Sequence, residues 1–365
     1  MFKGQTVAVV ITAYNEEGFV GEVIETLPSF VDRAYVVDDA STDGTWAEIQ
    51  SHAVALDGGR LRSSTGEDDH GNVSIASDDD SGDGPDVVSI RHETNKGVGA
   101  AVKTGYRRAY DDEIDVVALM DGDGQMDPAI LDRIIDPVVE GRADYAKGNR
   151  LLSREHTDGM SSWRRFGNRT LTFLTKIASG YWKTMDPQNG YTAISRRAIG
   201  DLDLGSLYDR YGFLNDLLVT LNAHSMRVAD VEMQAVYADE TSSINYSSFI
   251  PKVSGLLLRG FLWRMKTRYL VYDFHPLVIL YLVGVAGGVS VAGQVALLFA
   301  GVLSPAVTFA AAVPSFLVSA FAVTLAMTFD VMNNEHLEVQ ELVDPSHGYR
   351  QRERPAVLQV NEQND

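Results

Sequence analysis

Two aspartates, with a single glycine between them, occur in the run Met120-Asp121-Gly122-Asp123-Gly124-Gln125. They follow the apolar run 114–119, which predicts a buried strand. Residues two apart in an extended chain point the same way, so both carboxylates can face one cation. Hard oxygen ligands of this kind suit Mg²⁺ or Mn²⁺ carrying a diphosphate. A turn made of Asp and Gly, with no ligand, is the alternative that this motif alone leaves open.

Strands and helices alternate through roughly the first 240 residues. Apolar runs predict strands at 6–11, 34–39, 87–90 and 114–119. Helical patterns lie between them, at 18–27, 45–55 and 97–110. Repeated βα units predict an α/β fold with a doubly wound, mostly parallel sheet and right-handed crossovers. Asp121 and Asp123 then lie at the carboxyl end of a strand, where open α/β sheets bind ligands.

Three further segments are expected after or within this domain of residues 1–240. Residues 57–86 are rich in Asp, Ser and Gly, which predicts an acidic, flexible, exposed insertion. Residues 241–275 mix apolar and basic side chains, including Arg259, Arg264, Lys266 and Arg268, which is typical of amphipathic helices in a membrane interface. A helix packed on the soluble domain is the alternative. Residues 331–365 are expected to form a polar cytosolic tail.

Residues 276–330 contain two apolar runs, Leu277 to Leu303 and Ala306 to Phe329, and neither carries a charge. Each exceeds the roughly 20 residues that cross a hydrocarbon core, so they predict a hairpin of two transmembrane helices. The basic cluster before the first run predicts that both flanks, and hence the catalytic domain, lie in the cytosol. No signal-peptide pattern precedes the first strand.

Composition excludes several classes of function. The chain has no cysteine, so it has no disulfide, thiol nucleophile or thiolate metal site. A formal net charge of −19 argues against a nucleic-acid partner, since phosphate backbones are bound by basic patches. An acidic surface of this kind suits a high-salt cytoplasm, because salt screens its self-repulsion. We therefore expect a halophilic archaeal source.

Four motifs occur in order across residues 5–240: Val10-Ile11-Thr12-Ala13-Tyr14-Asn15-Glu16-Glu17, Val37-Asp38-Asp39-Ala40-Ser41-Thr42-Asp43-Gly44-Thr45, Asn95-Lys96-Gly97-Val98-Gly99, and Asp121-Gly122-Asp123-Gly124-Gln125. Together they resemble family 2 glycosyltransferases. Lys147-Gly148-Asn149-Arg150, Asp186-Pro187-Gln188-Asn189-Gly190-Tyr191 and the hairpin resemble its polyprenyl-phosphate sugar synthase branch, which includes the dolichyl-phosphate mannose and glucose synthases.

The resemblance implies a GT-A fold, an inverting transfer and a divalent metal, Mg²⁺ or Mn²⁺. It implies that Asp121, Asp123 and Gln125 hold the metal, and that Asp123, Gln125 and Arg150 are catalytic. The nucleotide sugar would be bound by residues at the carboxyl ends of the early strands: Ala13, Tyr14, Asn15, Glu16, Asp38, Asp39, Lys96 and Asp121.

A lipid acceptor of this class has its own chemistry. A phosphate monoester has a second pKa of about 6, so it is already a nucleophile at neutral pH and needs cations more than a base. Guanidinium binds phosphate bidentately, which makes Arg150 the first choice, with Arg164 and Arg165 next. Interfacial electrostatics is the alternative for Arg164, Arg165 and Arg169. Asn215-Asp216 stands near the place of a base in other members and is expected to hold an arginine or to be structural.

The donor and the acceptor class remain open in the sequence. Where mannose synthases carry basic residues near a Gly-Glu-Ser-Lys run, this chain has the acidic stretch 237–243, which leaves the identity of the sugar open. The resemblance slightly favours UDP-glucose or a UDP-N-acetylhexosamine over GDP-mannose. The expected product is a dolichyl-phosphate sugar for glycan or N-glycan assembly. A polysaccharide synthase acting on a sugar acceptor is the alternative, although its Gln-x-x-Arg-Trp motif does not occur. A non-catalytic membrane adaptor is a third hypothesis, and the presence of Asp121, Asp123 and Arg150 argues against it.

Overall fold

The computed structural model describes residues 1–56, 84–150, 162–233 and 246–341. Residues 57–83 of the expected insertion, the acidic stretch 237–243 and residues 342–365 lie outside the described part. Strands and helices alternate as the sequence predicts. The strands are β1 (Val7–Ala13), β2 (Arg33–Asp38), β3 (Asp86–Arg91), β4 (Val116–Asp121), β5 (Tyr145–Asn149), β6 (Thr192–Ser195), β7 (Val228–Glu232) and β8 (Glu338–Glu341).

The helices of the catalytic part are α1 (Val20–Glu25), α2 (Thr45–Leu56), α3 (Val98–Asp111), α4 (Leu131–Val139), α5 (Ser162–Ser179), α6 (Arg196–Asp201) and α7 (Phe213–Ala223). The remaining helices are α8 (Tyr246–Lys266), α9 (Leu277–Phe299) and α10 (Pro305–Asn334). Short 3₁₀ turns occupy Pro128–Ile130 and Glu335–Leu337, and a π-helical turn, Thr267–Tyr272, follows α8.

All eight described strands form one sheet in the order β3-β2-β1-β4-β6-β5-β7-β8. Within it β6 runs antiparallel to both its neighbours, and the other described pairings are parallel. The carboxyl ends of β1, β2, β4 and β5 therefore share one edge with the start of β6. Register places Ala13 beside Asp38 and Thr12 beside Asp121 along this edge. This is the edge where an open α/β sheet binds its ligand.

Each face of the sheet is covered by helices, as the doubly wound prediction requires. Alternate residues of β1 point to opposite faces: Val7, Val9 and Ile11 pack with α1, α2 and α4, while Ala8 and Val10 pack with α3, α6 and α7. Strands buried on both faces explain why the sequence shows continuous apolar runs rather than alternation.

One face of α8 packs on the catalytic domain. Val253 and Leu257 join Leu171 of α5 and Val219 of α7 in a small buried cluster. The opposite face exposes apolar side chains, namely Leu258, Leu262 and Trp263. The helix is therefore packed on the domain, which is the alternative that the sequence left open, and its place in a membrane interface stays a prediction.

Helices α9 and α10 form an antiparallel hairpin, each long and apolar enough to cross a membrane, and most of their residues are exposed. The hairpin packs closely through small residues, since a Cβ on Gly287 would lie 2.8 Å from Cβ of Ser319. Pro314 lies inside α10, which continues through it. Neighbouring helices and local adjustment make proline tolerable in such apolar helices.

The chain after the second apolar run differs from the expected polar tail. Helix α10 continues to Asn334, and β8 then pairs in parallel with β7 at the edge of the sheet. Leu337 is buried in the core below α7. Residues 331–341 thus belong to the folded structure, because their few apolar side chains find partners that are distant in sequence.

A second difference concerns Arg264, one of the basic side chains that the sequence predicts in a membrane interface. Its side chain is fully buried and makes two hydrogen bonds of 2.9 Å to the carboxylate of Asp330 in α10. It also donates to the carbonyls of Ile177 and Ala178 at the end of α5. A buried guanidinium requires such pairing, because an isolated buried charge is costly. Arg264 therefore joins the hairpin to the catalytic domain, whereas Lys252, Arg259 and Lys266 remain exposed.

Candidate active site

The two aspartates of the opening motif lie at the carboxyl end of β4. Thr12 of the adjacent strand donates a hydrogen bond to Oδ1 of Asp121 at 3.2 Å. Burial, followed by the negative charge of Asp123, raises the pKa of Asp121 to about 6, and the positive charge of Arg150 partly opposes this. Asp123 and Arg150 thus both act on the charge of Asp121, and the roles that the resemblance implies for the three residues stay predictions.

These carboxylates fit a divalent metal. Two like charges that raise the pKa of one partner would both be stabilised as anions by a dication between them. Within the described residues no group of three or more His, Asp or Glu side chains could hold a metal. A Mg²⁺ ion bound through one or two carboxylates normally completes its coordination with substrate phosphates and water. Asp121 and Asp123 therefore suit a metal that arrives with a diphosphate.

Gln125 lies in the same tight turn. Its backbone N–H donates to Oδ1 of Asp123 at 3.0 Å, and the preceding Gly124 has a φ of 70°, a conformation that favours glycine. The turn fixes the orientation of the Asp123 carboxylate relative to Asp121. The roles of Asp123 and Gln125 in metal binding and catalysis stay predictions.

The loop after β1 is tied to the loop after β2. Asn15, at a φ of 58°, accepts from the backbone N–H of Thr42 at 2.9 Å and donates its own backbone N–H to Ser41. Glu16 donates its backbone N–H to Thr45 at 2.8 Å. Ala13 ends the strand beneath this loop, and the Tyr14 side chain is exposed at the edge. The four residues therefore line the edge where the sequence places a nucleotide.

Asp38 and Asp39 are buried below that edge rather than exposed on it. Asp38 accepts from the backbone N–H of Ser41 and forms an ion pair with Arg91 at 3.0 Å. Asp39 accepts from the backbone N–H groups of Lys96 and Gly97 at 2.9 and 2.7 Å. Its Oδ1 also lies 2.7 Å from Nδ1 of His92.

The structure thus gives Asp39 a part in holding the loop 92–97, which sequence reasoning missed; its expected contact with base or ribose stays a prediction. The Lys96 residue is exposed on this loop. An open hollow of about 340 Å³ lies beside these residues, lined by Ala40, Ser41, Arg91, His92 and Glu93.

Arg150, at the end of β5, is held by Asp186. The guanidinium donates from Nε at 2.7 Å and from Nη2 at 3.0 Å to the two carboxylate oxygens. Although burial opposes ionisation, the hydrogen bonds and charge of Arg150 keep the pKa of Asp186 below its ordinary value. A bidentate pair fixes the plane of the guanidinium as well as its position.

Asp186 itself received no role from the sequence, although its motif was recognised. Its φ of 48° lies in the left-handed region, and its turn continues to Gly190 at the start of β6. A Cβ on Gly190 would lie 2.9 Å from Oδ2 of Asp121, so a side chain there would press on the carboxylate. The turn 186–190 therefore lies between Asp121 and Arg150.

Lys147 and Asp230 support this turn from below. Both are buried, and their Nζ and Oδ1 atoms are 3.0 Å apart. Lys147 donates to the carbonyls of Met185 and Asp186, while Asp230 accepts from the backbone N–H of Met185 at 2.8 Å and from Asn149 at 2.7 Å. A lysine at the centre of the five-residue strand β5 was the signal available in the sequence.

The other arginine candidates are not tested by the described contacts. Arg164 and Arg165 lie in the first turn of α5, but their side chains lie outside the described part, and Arg169 is exposed. Asn215 and Asp216 prove structural, because Asn215 donates to Thr175 at 2.8 Å and Asp216 accepts from the backbone N–H of Tyr208.

Tyr211, on the loop before α7, was missed by the sequence reading. Its side chain is largely exposed; partial burial of the phenol, followed by the negative charges of Asp121 and Glu16, raises its pKa. The phenol therefore belongs to the neighbourhood of the carboxylates, although it is distant from them in sequence.

A family model described as Glycosyl transferase family 2 matches residues 8–203. A similar protein is the UDP-N-acetylglucosamine–dolichyl-phosphate N-acetylglucosaminyltransferase of Methanococcus voltae, 27% identical over 63% of this chain and 85% of its own. Another is the polyprenol monophosphomannose synthase of Mycolicibacterium smegmatis, 27% identical over 72% of this chain and 86% of its own.

Among solved structures, a glucosyl-3-phosphoglycerate synthase from Mycobacterium tuberculosis, in complex with Mn²⁺, uridine diphosphate and phosphoglyceric acid, is 17% identical with a TM-score of 0.49. The match covers 72% of this chain and 78% of that one.

Proposed function

Since the chain belongs to glycosyl transferase family 2, as its motifs led us to expect, we propose that it transfers a hexose from a nucleotide sugar to a polyprenyl phosphate, dolichyl phosphate in particular. The observation that carries the proposal is the juxtaposition of Asp121 and Asp123 with Arg150, in a domain joined to an apolar hairpin. At this edge of the sheet Arg150 would attract the acceptor monophosphate, and a divalent metal held by Asp121 and Asp123 would attract the donor diphosphate.

We place the donor on the side of β1, β2 and β4. The base and ribose would lie over the loops 13–16 and 92–97, near the hollow beside Asp39, with the diphosphate at Asp121 and Asp123. When bound, Mg²⁺ or Mn²⁺ would supply positive charge that stabilises the departing diphosphate. The similar Methanococcus voltae protein is named for UDP-N-acetylglucosamine, which supports a UDP-sugar, and we favour UDP-N-acetylglucosamine or UDP-glucose over GDP-mannose.

We place the acceptor phosphate at Arg150, with Arg164 and Arg165 as further cations. A phosphate oxygen attacks the anomeric carbon, the bond from that carbon to the donor diphosphate breaks, and the configuration inverts. The nucleoside diphosphate leaves with the electron pair of the broken bond. The lipid phosphate is largely a dianion at neutral pH, since its second pKa is about 6, so the reaction needs no protein base.

We further propose that the hairpin crosses the cell membrane with the catalytic domain in the cytosol. Both ends of the hairpin lie at the catalytic domain, since α9 follows α8 and Asp330 of α10 contacts Arg264. The exposed Lys252, Arg259 and Lys266 precede the first span, and positive charge of this kind favours the cytoplasmic side.

The test uses membranes containing the full chain, in high salt with Mg²⁺ or Mn²⁺. A panel of radiolabelled nucleotide sugars is offered with dolichyl phosphate, and the lipid is then extracted. Label in the lipid phase from one donor supports the transfer and identifies the sugar. Label in polymer or protein, with none in lipid from any donor, would refute the acceptor and favour a chain-extending transferase.

A further inference from the structure

The chain returns to the catalytic domain after the second apolar helix. The 3₁₀ turn Glu335–Leu337 leads from α10 directly into β8, and the first residue of β8 is Glu338. The side chain of Glu338 points towards the connection between α5 and β6, residues 180–191. That connection contains no helix or strand, so its backbone groups need other partners.

Glu338 supplies those partners for three consecutive residues. Its Oε1 accepts from the backbone N–H of Trp182 at 2.9 Å. Its Oε2 accepts from the backbone N–H groups of Lys183 at 2.5 Å and Thr184 at 3.0 Å. Three N–H groups converging on one carboxylate fix the path of the chain at this point, because each of them would otherwise need a partner.

The anchored residues lead straight to the arginine that we assign to the acceptor. After Thr184, the backbone N–H of Met185 is held by Asp230, and the carbonyl of Asp186 lies 3.2 Å from Nζ of Lys147. The carboxylate of Asp186 then holds Arg150 in a bidentate pair. Because Asp186 has a positive φ, which is unfavourable for a residue other than glycine, its conformation depends on the chain on either side of it.

We propose that Glu338 is a positioning residue for the acceptor phosphate. By fixing residues 182–184 it sets the place of Asp186 and, through Asp186, the orientation of the Arg150 guanidinium. The segment that follows the second membrane helix thereby completes the acceptor side of the site. This inference rests on the proposed function, in which Arg150 binds the lipid phosphate.

The chain offers a matched control three residues earlier. Glu335 also contacts Lys183, but its side chain is 62% exposed and binds only Nζ, at 2.9 Å. An exposed pair of this kind contributes little. Glu338→Gln and Glu335→Gln therefore make the same chemical change in neighbouring glutamates, and only the first replaces an acceptor of backbone N–H groups by a donor.

Both variants are compared with the full-length wild type in membranes, measuring KM for the lipid phosphate, KM for the nucleotide sugar, and backbone amide exchange by mass spectrometry. For Glu338→Gln we expect faster exchange in residues 180–190, a KM for the lipid phosphate raised about 5- to 20-fold, and a donor KM within about twofold of wild type. Glu335→Gln should match wild type in all three. If Glu338→Gln does not fold, Glu338→Asp takes the same tests, with smaller changes expected in the same direction.

Faster exchange with an unchanged KM for the lipid phosphate would overturn the positioning role, as would an equal rise in both KM values. Unchanged exchange would overturn the anchor itself. A wild type that transfers no sugar to lipid phosphate would instead refute the proposed function, while the exchange measurement would still test the anchor.

Discussion

The donor side and the acceptor side of the site are built in different ways. On the donor side, each carboxylate is held by neighbouring βα units: Asp39 by the loop 92–97, and Asp121 by Thr12 on the adjacent strand. On the acceptor side, Arg150 depends on Asp186, and the chain around Asp186 depends on Lys147 and Glu338. The first arrangement is made within the sheet units that carry the motifs. The acceptor-side arrangement also requires residues distant in sequence, including the segment 335–341 that follows the two apolar helices.

This difference suggests a role for the apolar hairpin besides anchoring: the chain that follows it contacts the acceptor side of the proposed site. An anchor alone would need no contact with the site. Here α10 carries Asp330, which binds Arg264, and continues into Glu338, which holds the connection leading to Asp186. The acceptor is the membrane-borne substrate in our proposal, and the side of the site that would bind it is the side completed by the membrane-associated part of the chain.

The largest effect is expected on the donor side. Asp123→Ala should lower transfer roughly 100-fold or more, because it removes a metal ligand and charge at the departing diphosphate. The fold should remain intact, since a site carboxylate is not part of the core. The rate of lipid labelling at saturating donor measures the loss, and circular dichroism checks the fold. Full activity of this variant in metal-depleted buffer would refute the metal assignment.

The next effect concerns the joint between hairpin and domain. Asp330→Asn leaves the buried Arg264 guanidinium without its carboxylate, and breaking a buried pair in this way costs about 3 kcal/mol. We expect a lower unfolding midpoint in detergent. Glu335→Gln, which removes an exposed ion pair, should change the midpoint little. Equal midpoints for the two variants would contradict the assigned role of Arg264.

A smaller effect should separate the two substrates. Arg150→Lys keeps the charge but loses the bidentate geometry, so the KM for the lipid phosphate should rise about 10- to 100-fold while the donor KM changes little. Arg196→Lys, at the opposite edge of the sheet, is the matched control. A rise confined to the donor KM would mean that Arg150 binds the nucleotide sugar and not the lipid phosphate.

The smallest effect is expected on the free energy of unfolding, and it is a gain where the other variants lose stability or activity. The folded-state pKa of Asp121, about 6, lies above its ordinary value of 3.8, so the folded protein holds this proton more tightly than the unfolded chain. Stability from this group is present at low pH and is lost as the pH rises through 6. Asp121→Asn should therefore stabilise the metal-free protein at pH 7.5 by about 1–3 kcal/mol. Thermal unfolding in EDTA at pH 7.5 and pH 5 measures it, with a gain about half as large expected at pH 5, because the carboxyl is still ionised in the unfolded chain at that pH.

The same contrast explains what the sequence predicts and what it leaves out. The strands β1 to β4 and the helices between them follow from apolar runs and motifs that are short and contiguous. Family membership and the sheet together confirm the expected α/β fold of GT-A type, followed by two apolar helices.

Contacts between distant residues account for the rest. Trp182 and Glu338 are separated by 156 positions, and β8 has four residues of which one is apolar, so nothing local marks it as a strand. Arg264 and Asp330 are 66 positions apart. In the sequence the first belongs to a basic segment and the second ends an apolar one, so nothing local predicts that they pair. The sequence motif contains Asp39, but the hydrogen bonds that its carboxylate accepts from the backbone N–H groups of Lys96 and Gly97 depend on the path of a loop.

The most direct test of the central claim is the mass of the lipid product. Wild-type membranes are incubated with the donor that labels lipid and with dolichyl phosphate, and the extracted lipid is analysed by mass spectrometry. Our account predicts dolichyl phosphate carrying one hexose or N-acetylhexosamine residue, with a single phosphorus atom, because the lipid phosphate attacks the anomeric carbon. A product with two phosphorus atoms would mean that a sugar phosphate is transferred instead, and would contradict the account.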